Sequence, residues 1–195
     1  MVLPRKRRRP LKKTAEIVEK AADAIIYAMD EACIRREATI SQSWYPKGKT
    51  AVVMSPATKE KVNIVGAVKI GSGNLVHQKV EHFRKEQMID FLGLLLEEEK
   101  NSEGSIYVIL DNASPHRAIA VQDYLAAVGT RFIMLWLPPY SPELNPSENI
   151  WRQLRKEKTH NRLFENLEKL LGTVDSFFNS YRGANETMSS LCALI

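Results

Sequence analysis

Three carboxylate side chains stand at positions where acids can gather around a divalent cation. Asp30 follows the apolar run 24–29 at the predicted end of a strand, Asp111 follows the apolar run 105–110 in the same way, and Glu148 lies at a predicted helix start. Mg²⁺ prefers oxygen ligands, and two such ions about 4 Å apart can drive phosphoryl transfer. A lone acid after a strand is more often only a polar surface residue. The three together are candidates for a site that holds one or two Mg²⁺ ions.

Glu148 also has an explanation that requires no chemistry. The segment Asn145-Pro146-Ser147-Glu148 matches the first positions of a helix: Asn is a preferred cap, and Pro suits the first turn. A Glu at the third position can accept a hydrogen bond from the backbone amide of the cap residue. The two explanations are compatible, because a capped helix start fixes the direction of the carboxylate.

The elements that would position these acids alternate in type along the chain. Strands are predicted at 24–29, 61–70, 75–80, 105–110 and 131–136, and helices at 84–99, 118–128, 146–160 and 163–181. The Gly-rich segment 71–74 predicts a hairpin between the second and third strands. Hairpin strands followed by alternating strands and helices predict an α/β fold with a mixed sheet covered by helices. Ligands in such sheets bind at the carboxyl ends of parallel strands, where both aspartates are expected.

Positive charge is concentrated at the start of the chain. The 195 residues carry a net charge of +5, but residues 1–13 alone contain seven basic side chains and no acid, which leaves −2 for the remaining 182 residues. The basic side chains are Arg5, Lys6, Arg7, Arg8, Arg9, Lys12 and Lys13. Such an arm predicts binding to a polyanion such as nucleic acid, and a solvated leader is an equally compatible explanation.

A second basic segment follows Glu148 directly. Arg152, Arg155 and Lys156 are spaced so that they share one side of the predicted helix, where they would contact DNA phosphates beside the acids. The alternative is an ordinary solvated helix face.

The two cysteines, Cys33 and Cys192, do not form a disulfide scaffold or a zinc module, and no apolar run approaches the ~18 residues of a membrane span. We therefore expect a soluble, cytoplasmic protein that is not associated with a membrane.

Two sequence blocks are distinctive enough to suggest a family. The segments LDNASPHRA (110–118) and LPPYSPELNPSENIWRQLRK (137–156) resemble the signature blocks of mariner-like transposases from bacterial insertion sequences, in the DDE endonuclease superfamily. The segment 29–49, with its Trp-x-Pro-x-Gly pattern, is similar to the block that contains the first acid in that family. The resemblance covers the chain from about 24 to about 179.

The resemblance implies an RNase H-like fold, with a mixed five-stranded sheet flanked by helices. By motif position the catalytic and metal-binding triad is Asp30, Asp111 and Glu148. Supporting roles are implied for Asn112 and His116, which would orient Asp111 or contact the substrate, and for Asn145, mainly as a turn and cap residue. The family also implies Mg²⁺ or Mn²⁺, in two ions, double-stranded DNA as substrate at both transposon ends and target, and a homodimer.

The sequence departs from the family in two places. Ser147 occupies a position that is usually apolar in the family, and no recognition helix-turn-helix is found in the chain. We expect residues 1–20 to be a basic arm or linker remnant, 21–182 the catalytic domain and 183–195 a C-terminal tail. A separate helix-turn-helix protein from an upstream reading frame would then be a partner. Whether the chain is a second frame, a truncation or a degraded copy stays open.

The predicted function is that of a DNA transposase catalytic domain. Phosphodiester hydrolysis at the transposon ends would release a 3′-OH, which would then be joined to target DNA at the same acids. Two alternatives stay open: an RNase H-like nuclease without strand transfer, and a non-catalytic DNA-binding remnant of a transposase.

Overall fold

The computed structural model describes residues 24–39, 41, 44, 46–48, 52, 54 and 56–194. In these residues the strands are β1 (Ile25–Arg35), β2 (Lys61–Lys69), β3 (Leu75–Val80), β4 (Ile106–Leu110) and β5 (Phe132–Trp136). The α-helices are α1 (Lys85–Glu98), α2 (Ile119–Ala127), α3 (Glu148–Leu154), α4 (Leu167–Ser180) and α5 (Glu186–Leu191). The arm residues Arg5, Arg7, Arg8 and Arg9 lie outside the described residues, so their predicted role is still a prediction.

The strands form one mixed sheet in the order β3-β2-β1-β4-β5. β1, β2 and β3 pair antiparallel, and the predicted hairpin joins β2 to β3. β4 pairs parallel with both β1 and β5, and each parallel pair is linked through a helix, because a parallel connection must cross back over the sheet. The prediction of a mixed five-stranded sheet flanked by helices is confirmed.

The sheet separates two apolar cores because side chains alternate along β1. Ile26 and Ala28 point to one face and pack with residues of α3, α4 and α5. Tyr27 and Met29 point to the other face and pack with residues of α1 and α2. Neighbouring residues of β1 therefore belong to different cores.

β1 is longer than its apolar run suggested. The strand continues to Arg35, so the prediction that Asp30 ends the first strand is wrong. The reason is the antiparallel partner: β2 pairs with β1 from Tyr27 to Arg35, whereas β4 pairs with it only as far as Ala28. Asp30 thus lies just beyond the end of the parallel ladder, within a strand that its other neighbour holds in place.

The predicted helix 146–160 is two different structures. α3 ends at Leu154, and a π-helical segment, Arg155–Thr159, follows it directly. The last hydrogen bond of this segment runs from the amide of His160 to the carbonyl of Arg155, at 2.8 Å. The next helix starts at Leu167, later than predicted, because the Asn166 side chain caps it through the amide of Lys169 at 2.9 Å. No helix in the described part of the chain is long and apolar enough to cross a membrane.

Residues 183–195, expected to be a tail, contain helix α5. Its Met188 is fully buried in the core that also holds α3 and α4. The helix lies on the β2–β3 hairpin, where the amide of Asn185 donates to the carbonyl of Ser72 at 2.7 Å. Gly73 permits this contact, because its φ is +73° and an added Cβ would stand 2.2 Å from the carbonyl oxygen of Asn185. A helix of six residues is too short to show a hydrophobic periodicity, so the sequence did not predict it.

Candidate active site

Asp30 is held by a buried indole. Alternation along β1 directs Asp30 to the face covered by α3, where the Trp151 Nε1–H donates to Asp30 Oδ2 at 2.9 Å. Trp151 is itself almost completely buried, with its ring against Gly66 of β2. A Cβ at position 66 would stand 2.7 Å from Trp151 Cη2, so only glycine allows the ring to lie this close to the sheet. The indole therefore fixes one carboxylate oxygen of Asp30.

The environment of Asp30 disfavours its charge. Burial and the nearby Glu148 carboxylate raise the pKa of Asp30 to about 7, although the Trp151 hydrogen bond acts in the opposite direction. Burial is the larger cause, and the effect of Glu148 shows that the two acids are near each other. These surroundings therefore favour the neutral form of Asp30 over the charged form.

Asp111 follows the last residue of β4 and is more accessible. Continuing the parallel register from Ala28 and Ile109 places it beside Asp30, because both lie two residues further along. Its Oδ1 accepts hydrogen bonds from the amide of Ala113 at 2.9 Å and lies 3.0 Å from Nδ1 of His116. About half of the Asp111 side chain is exposed, so it remains open to a ligand from the solvent side.

His116 connects Asp111 to a fourth acid, Glu31. Its Nε2 lies 2.5 Å from Glu31 Oε1, and the imidazole is buried. Burial lowers the pKa of His116, but Glu31 and Asp111 outweigh it, so the net effect raises the pKa above its usual range. The sequence prediction named His116 but missed Glu31. The available signal was alternation: in a strand, Glu31 must point to the opposite face from Asp30.

Asn145 connects the start of α3 to β1. Its Nδ2 donates to the carbonyl of Met29 at 2.9 Å, and its Oδ1 accepts from the Ser147 amide at 3.2 Å and hydroxyl at 2.6 Å. These contacts satisfy Ser147, which is fully buried where the family usually has an apolar residue. Asn145 thereby ties the residue before Asp30 to the helix that begins at Glu148.

The reciprocal half of the predicted capping box is absent. The amide of Asn145 donates to the carbonyl of Pro142 at 2.9 Å and is therefore not free for Glu148. Within the described residues no hydrogen bond or ion pair engages the Glu148 carboxylate. The helix begins at Glu148 and no side chain caps it, so the prediction that Asn145 is its cap and Glu148 its third residue is wrong. Asn145 instead closes the turn before α3 through the Ser147 amide, and the carboxylate of Glu148 lines the cleft.

Asn112 has a different contact from the one implied. It donates from Nδ2 to the carbonyl of Leu137, and its Oδ1 accepts from Arg117. The Arg117 guanidinium also lies 4.6 Å from the centre of the Trp136 ring. Asn112 therefore joins the loop after β4 to the loop after β5.

The acids from three separate elements line one cleft of about 590 Å³. Its lining residues are Asp30, Asp111, Asn112, Ala113, Leu137, Pro138, Pro139, Tyr140, Ser141, Pro142, Asn145 and Glu148. The structure thus brings together all three predicted triad residues with Asn112 and Asn145, and it places His116 behind Asp111.

The basic residues after Glu148 are divided between two places. Arg152 and Lys156 are exposed, and Arg152 donates to the Asn149 side chain at 2.7 Å. Arg155 is half-buried and lines a separate groove with Cys33, Arg35 and Glu37, among others. The π-helical segment changes the angular spacing, so the regular helix assumed for one shared side does not hold. Their contact with DNA stays a prediction.

The donor set of the cleft fits a hard divalent cation. As the side chains stand, no group of three His, Cys, Asp or Glu residues in the described part of the chain could hold a metal ion. The cleft nevertheless presents three carboxylates, and burial together with the nearby Glu148 carboxylate raises the pKa of Asp30, an effect that a bound cation would oppose. Chemically, such a set can hold Mg²⁺ or Mn²⁺ beside a phosphate.

A family model for the DDE superfamily endonuclease matches residues 25–171. A curated relative, the "Insertion element IS630 uncharacterized 39 kDa protein" of Shigella sonnei, is 25% identical over 162 residues, which cover 83% of this chain and 47% of the relative. The chain therefore spans about half the length of this relative.

Solved structures of the Mos1 transposase have a similar fold. The Mos1 paired-end complex with the left transposon end matches with a TM-score of 0.71 and 19% identity, over 98% of this chain and 60% of that one. The catalytic domain of the Mos1 mariner transposase matches with a TM-score of 0.65 and 18% identity, over 98% and 89% of the two chains. The likeness confirms the predicted RNase H-like fold. Because the family model covers most of its length, the chain belongs to the DDE superfamily endonuclease family.

Proposed function

We propose that this chain is the catalytic domain of a transposase that cuts DNA at transposon ends and joins the released 3′-OH to target DNA. The observation that carries the proposal is the convergence of Asp30, Asp111 and Glu148 on one cleft. They come from the middle of a strand, the end of a second strand and the start of a helix, and only the tertiary fold unites them.

The same three carboxylates are the proposed ligands of two Mg²⁺ or Mn²⁺ ions. Structures of the Mos1 transposase with Mg and with Mn support this choice of cation. When bound, such ions supply an activated oxygen nucleophile and stabilise the leaving oxygen of the phosphodiester.

The protein's own contribution is to hold the acids in place. Trp151 donates a hydrogen bond to Oδ2 of Asp30 and so fixes the direction of that carboxylate. Asn145 sets the distance between β1 and the helix that carries Glu148. We assign Glu31 and His116 as positioning residues for Asp111, because the buried imidazole contacts both carboxylates. Partners of this kind orient metal ligands, and their loss typically costs about 10–100-fold in metal affinity or activity.

The proposal also includes the DNA and the protein partners with which this chain would act during transposition. Double-stranded DNA is the proposed substrate, with contacts from the arm (Arg5, Arg7, Arg8, Arg9) and from Arg152, Arg155 and Lys156. The proposal includes a homodimer, and the paired-end complex of the Mos1 transposase supports a state in which transposon ends are paired. A helix-turn-helix protein from an upstream frame would supply end recognition, and the site of action would be the bacterial nucleoid.

A cleavage assay tests the proposal. Full chain and a pre-nicked duplex carrying the element's end are incubated with Mg²⁺ or Mn²⁺, and a second duplex serves as target. We expect metal-dependent cutting and joining by the wild type and by Asp123→Asn, which alters an exposed aspartate of α2. Asp111→Asn should do neither. Cutting without joining would favour the nuclease alternative, and no cutting by the wild type would favour the non-catalytic remnant.

A further inference from the structure

The side chain of Tyr140 is exposed to solvent at the rim of the cleft. It is 96% exposed, although it lines the same cleft as Asp30, Asp111 and Glu148. Single exposed apolar side chains are common on protein surfaces, so exposure alone identifies no function. Tyr140 differs from the exposed Ile119 because its ring also lines the cleft, where it can contact whatever the cleft binds. No hydrogen bond within the described residues holds its hydroxyl.

The backbone presents this ring on a stiff turn. Tyr140 has φ +54°, a left-handed conformation that is uncommon and costly for a residue with a Cβ. Pro138 and Pro139 precede it and Pro142 follows closely, which restricts the backbone on both sides. The start of this loop is also fixed, because Asn112 donates to the carbonyl of Leu137. The ring therefore costs little further conformational entropy when it binds a ligand.

We propose that the Tyr140 ring stacks on an unpaired nucleobase next to the phosphate held in the cleft. This inference rests on the proposed function, because a phosphodiester among the acids places the neighbouring base within one nucleotide of the rim. Bases stack on aromatic side chains with little sequence preference, since every base has a π-face. The base must be unpaired and unstacked, because a base inside a duplex has both faces covered.

The test combines changes in the ring with changes in the base. Binding of the full chain to a labelled, pre-nicked DNA end is measured by fluorescence anisotropy without divalent metal. The variants are Tyr140→Phe, which keeps the flat ring, Tyr140→Leu, which keeps apolar bulk, and Tyr140→Asn, which tolerates the left-handed backbone. Ile119→Ala removes an exposed apolar side chain that does not line the cleft and serves as the matched control. Each variant is also tested on DNA that lacks one base beside the nick.

We expect Tyr140→Phe and Ile119→Ala to bind like the wild type. Tyr140→Leu and Tyr140→Asn should lose roughly 5- to 150-fold in affinity, the range of one stacked base. At one position, removing the base should weaken the wild type by a similar factor and leave Tyr140→Leu unaffected, because the same contact has already been removed.

Two results would overturn the inference. One is unchanged affinity in Tyr140→Leu, and the other is a loss that no missing base cancels. Because binding is measured without metal, this outcome is independent of the cleavage assay. A wild type that fails to cut DNA but shows the predicted coupling would refute the proposed function and leave the stacking site intact.

Discussion

The two faces of β1 treat adjacent acids in opposite ways. Asp30 faces α3 and receives a hydrogen bond from the neutral indole of Trp151, with the Glu148 carboxylate nearby. Glu31 faces the other side and is paired with the imidazole of His116, a group that can carry positive charge. The two acids are neighbours in one strand, and His116 links the Glu31 face to Asp111 at the edge of the cleft.

The two faces differ in whether a basic side chain lies next to the acid. On the His116 face the protein supplies a basic partner, and the pKa of His116 is raised after burial is outweighed by Glu31 and Asp111. On the Trp151 face burial and Glu148 raise the pKa of Asp30 to about 7, and no basic side chain compensates it among the described residues. The imidazole of His116 balances the charge on its face, whereas under the proposed function a bound metal ion would balance the carboxylates on the Trp151 face.

The largest effect is expected for Asp30→Asn. The amide still accepts the Trp151 hydrogen bond, but the charge that would hold a cation is lost. Mg²⁺-dependent cleavage should fall by at least about 100-fold, the lower range for removing one group that stabilises the transition state. Cleavage by this variant at the wild-type rate, in the same gel assay, would show that the Trp151 face is not the metal face.

Glu148→Gln separates the cap from the catalyst. The turn before α3 is held by Asn145 and not by the Glu148 side chain, so the variant should stay folded, with a melting temperature within a few degrees of wild type. Loss of the charge at the helix start costs about 0.3–1 kcal/mol. Cleavage should nearly disappear, and Glu148→Ala should be inactive as well. Thermal melts and the cleavage assay check both parts, and an active Glu148→Gln would contradict the triad assignment.

A smaller loss is expected for Glu31→Gln, which acts through His116. Cleavage should fall by about 10–100-fold and should require more Mg²⁺, because Asp111 is less firmly oriented. The pKa of His116, followed by NMR of the imidazole, should decrease when the Glu31 charge is removed. Glu103→Gln is a suitable control, since Glu103 is exposed in the loop before β4 and does not line the cleft. Unchanged imidazole titration would mean that Glu31 does not support His116.

The smallest effects are those of pH on metal-free stability. The folded pKa of Asp30 is about 7 and its ordinary value 3.8, so the protein should lose stability as pH rises between them, by up to a few kcal/mol. Asp30→Asn should remove this loss. The raised pKa of His116 adds a contribution that is complete below pH 6.5 and disappears as pH rises through the raised value. Glu31→Gln should reduce that contribution. Chemical denaturation across this pH range distinguishes the two faces.

Much of the fold could be predicted because its signals are local. The hairpin at 71–74, the strand 75–80 and the amphipathic helix α1 depend on turn residues and periodicity within a few neighbours. The predicted end of β1 was wrong because the second half of that strand is held by β2, which follows 26 residues after β1 ends. Helix α5 was missed because its stability comes from burying Met188 against the core and not from its own sequence pattern.

The sequence by itself determined which three acids to expect at the cleft and most of the element types, because residue type and local periodicity carry those signals. The extension of β1 that sends Asp30 and Glu31 to opposite faces depended on its pairing with β2. Only the tertiary structure decided which side chains contact Asp30 and Glu31. Trp151 is 121 residues from Asp30, and His116 is 85 residues from Glu31. Such pairings depend on how the sheet and helices pack, since a side chain's electrostatic environment is set by neighbours in space and not by neighbours along the chain.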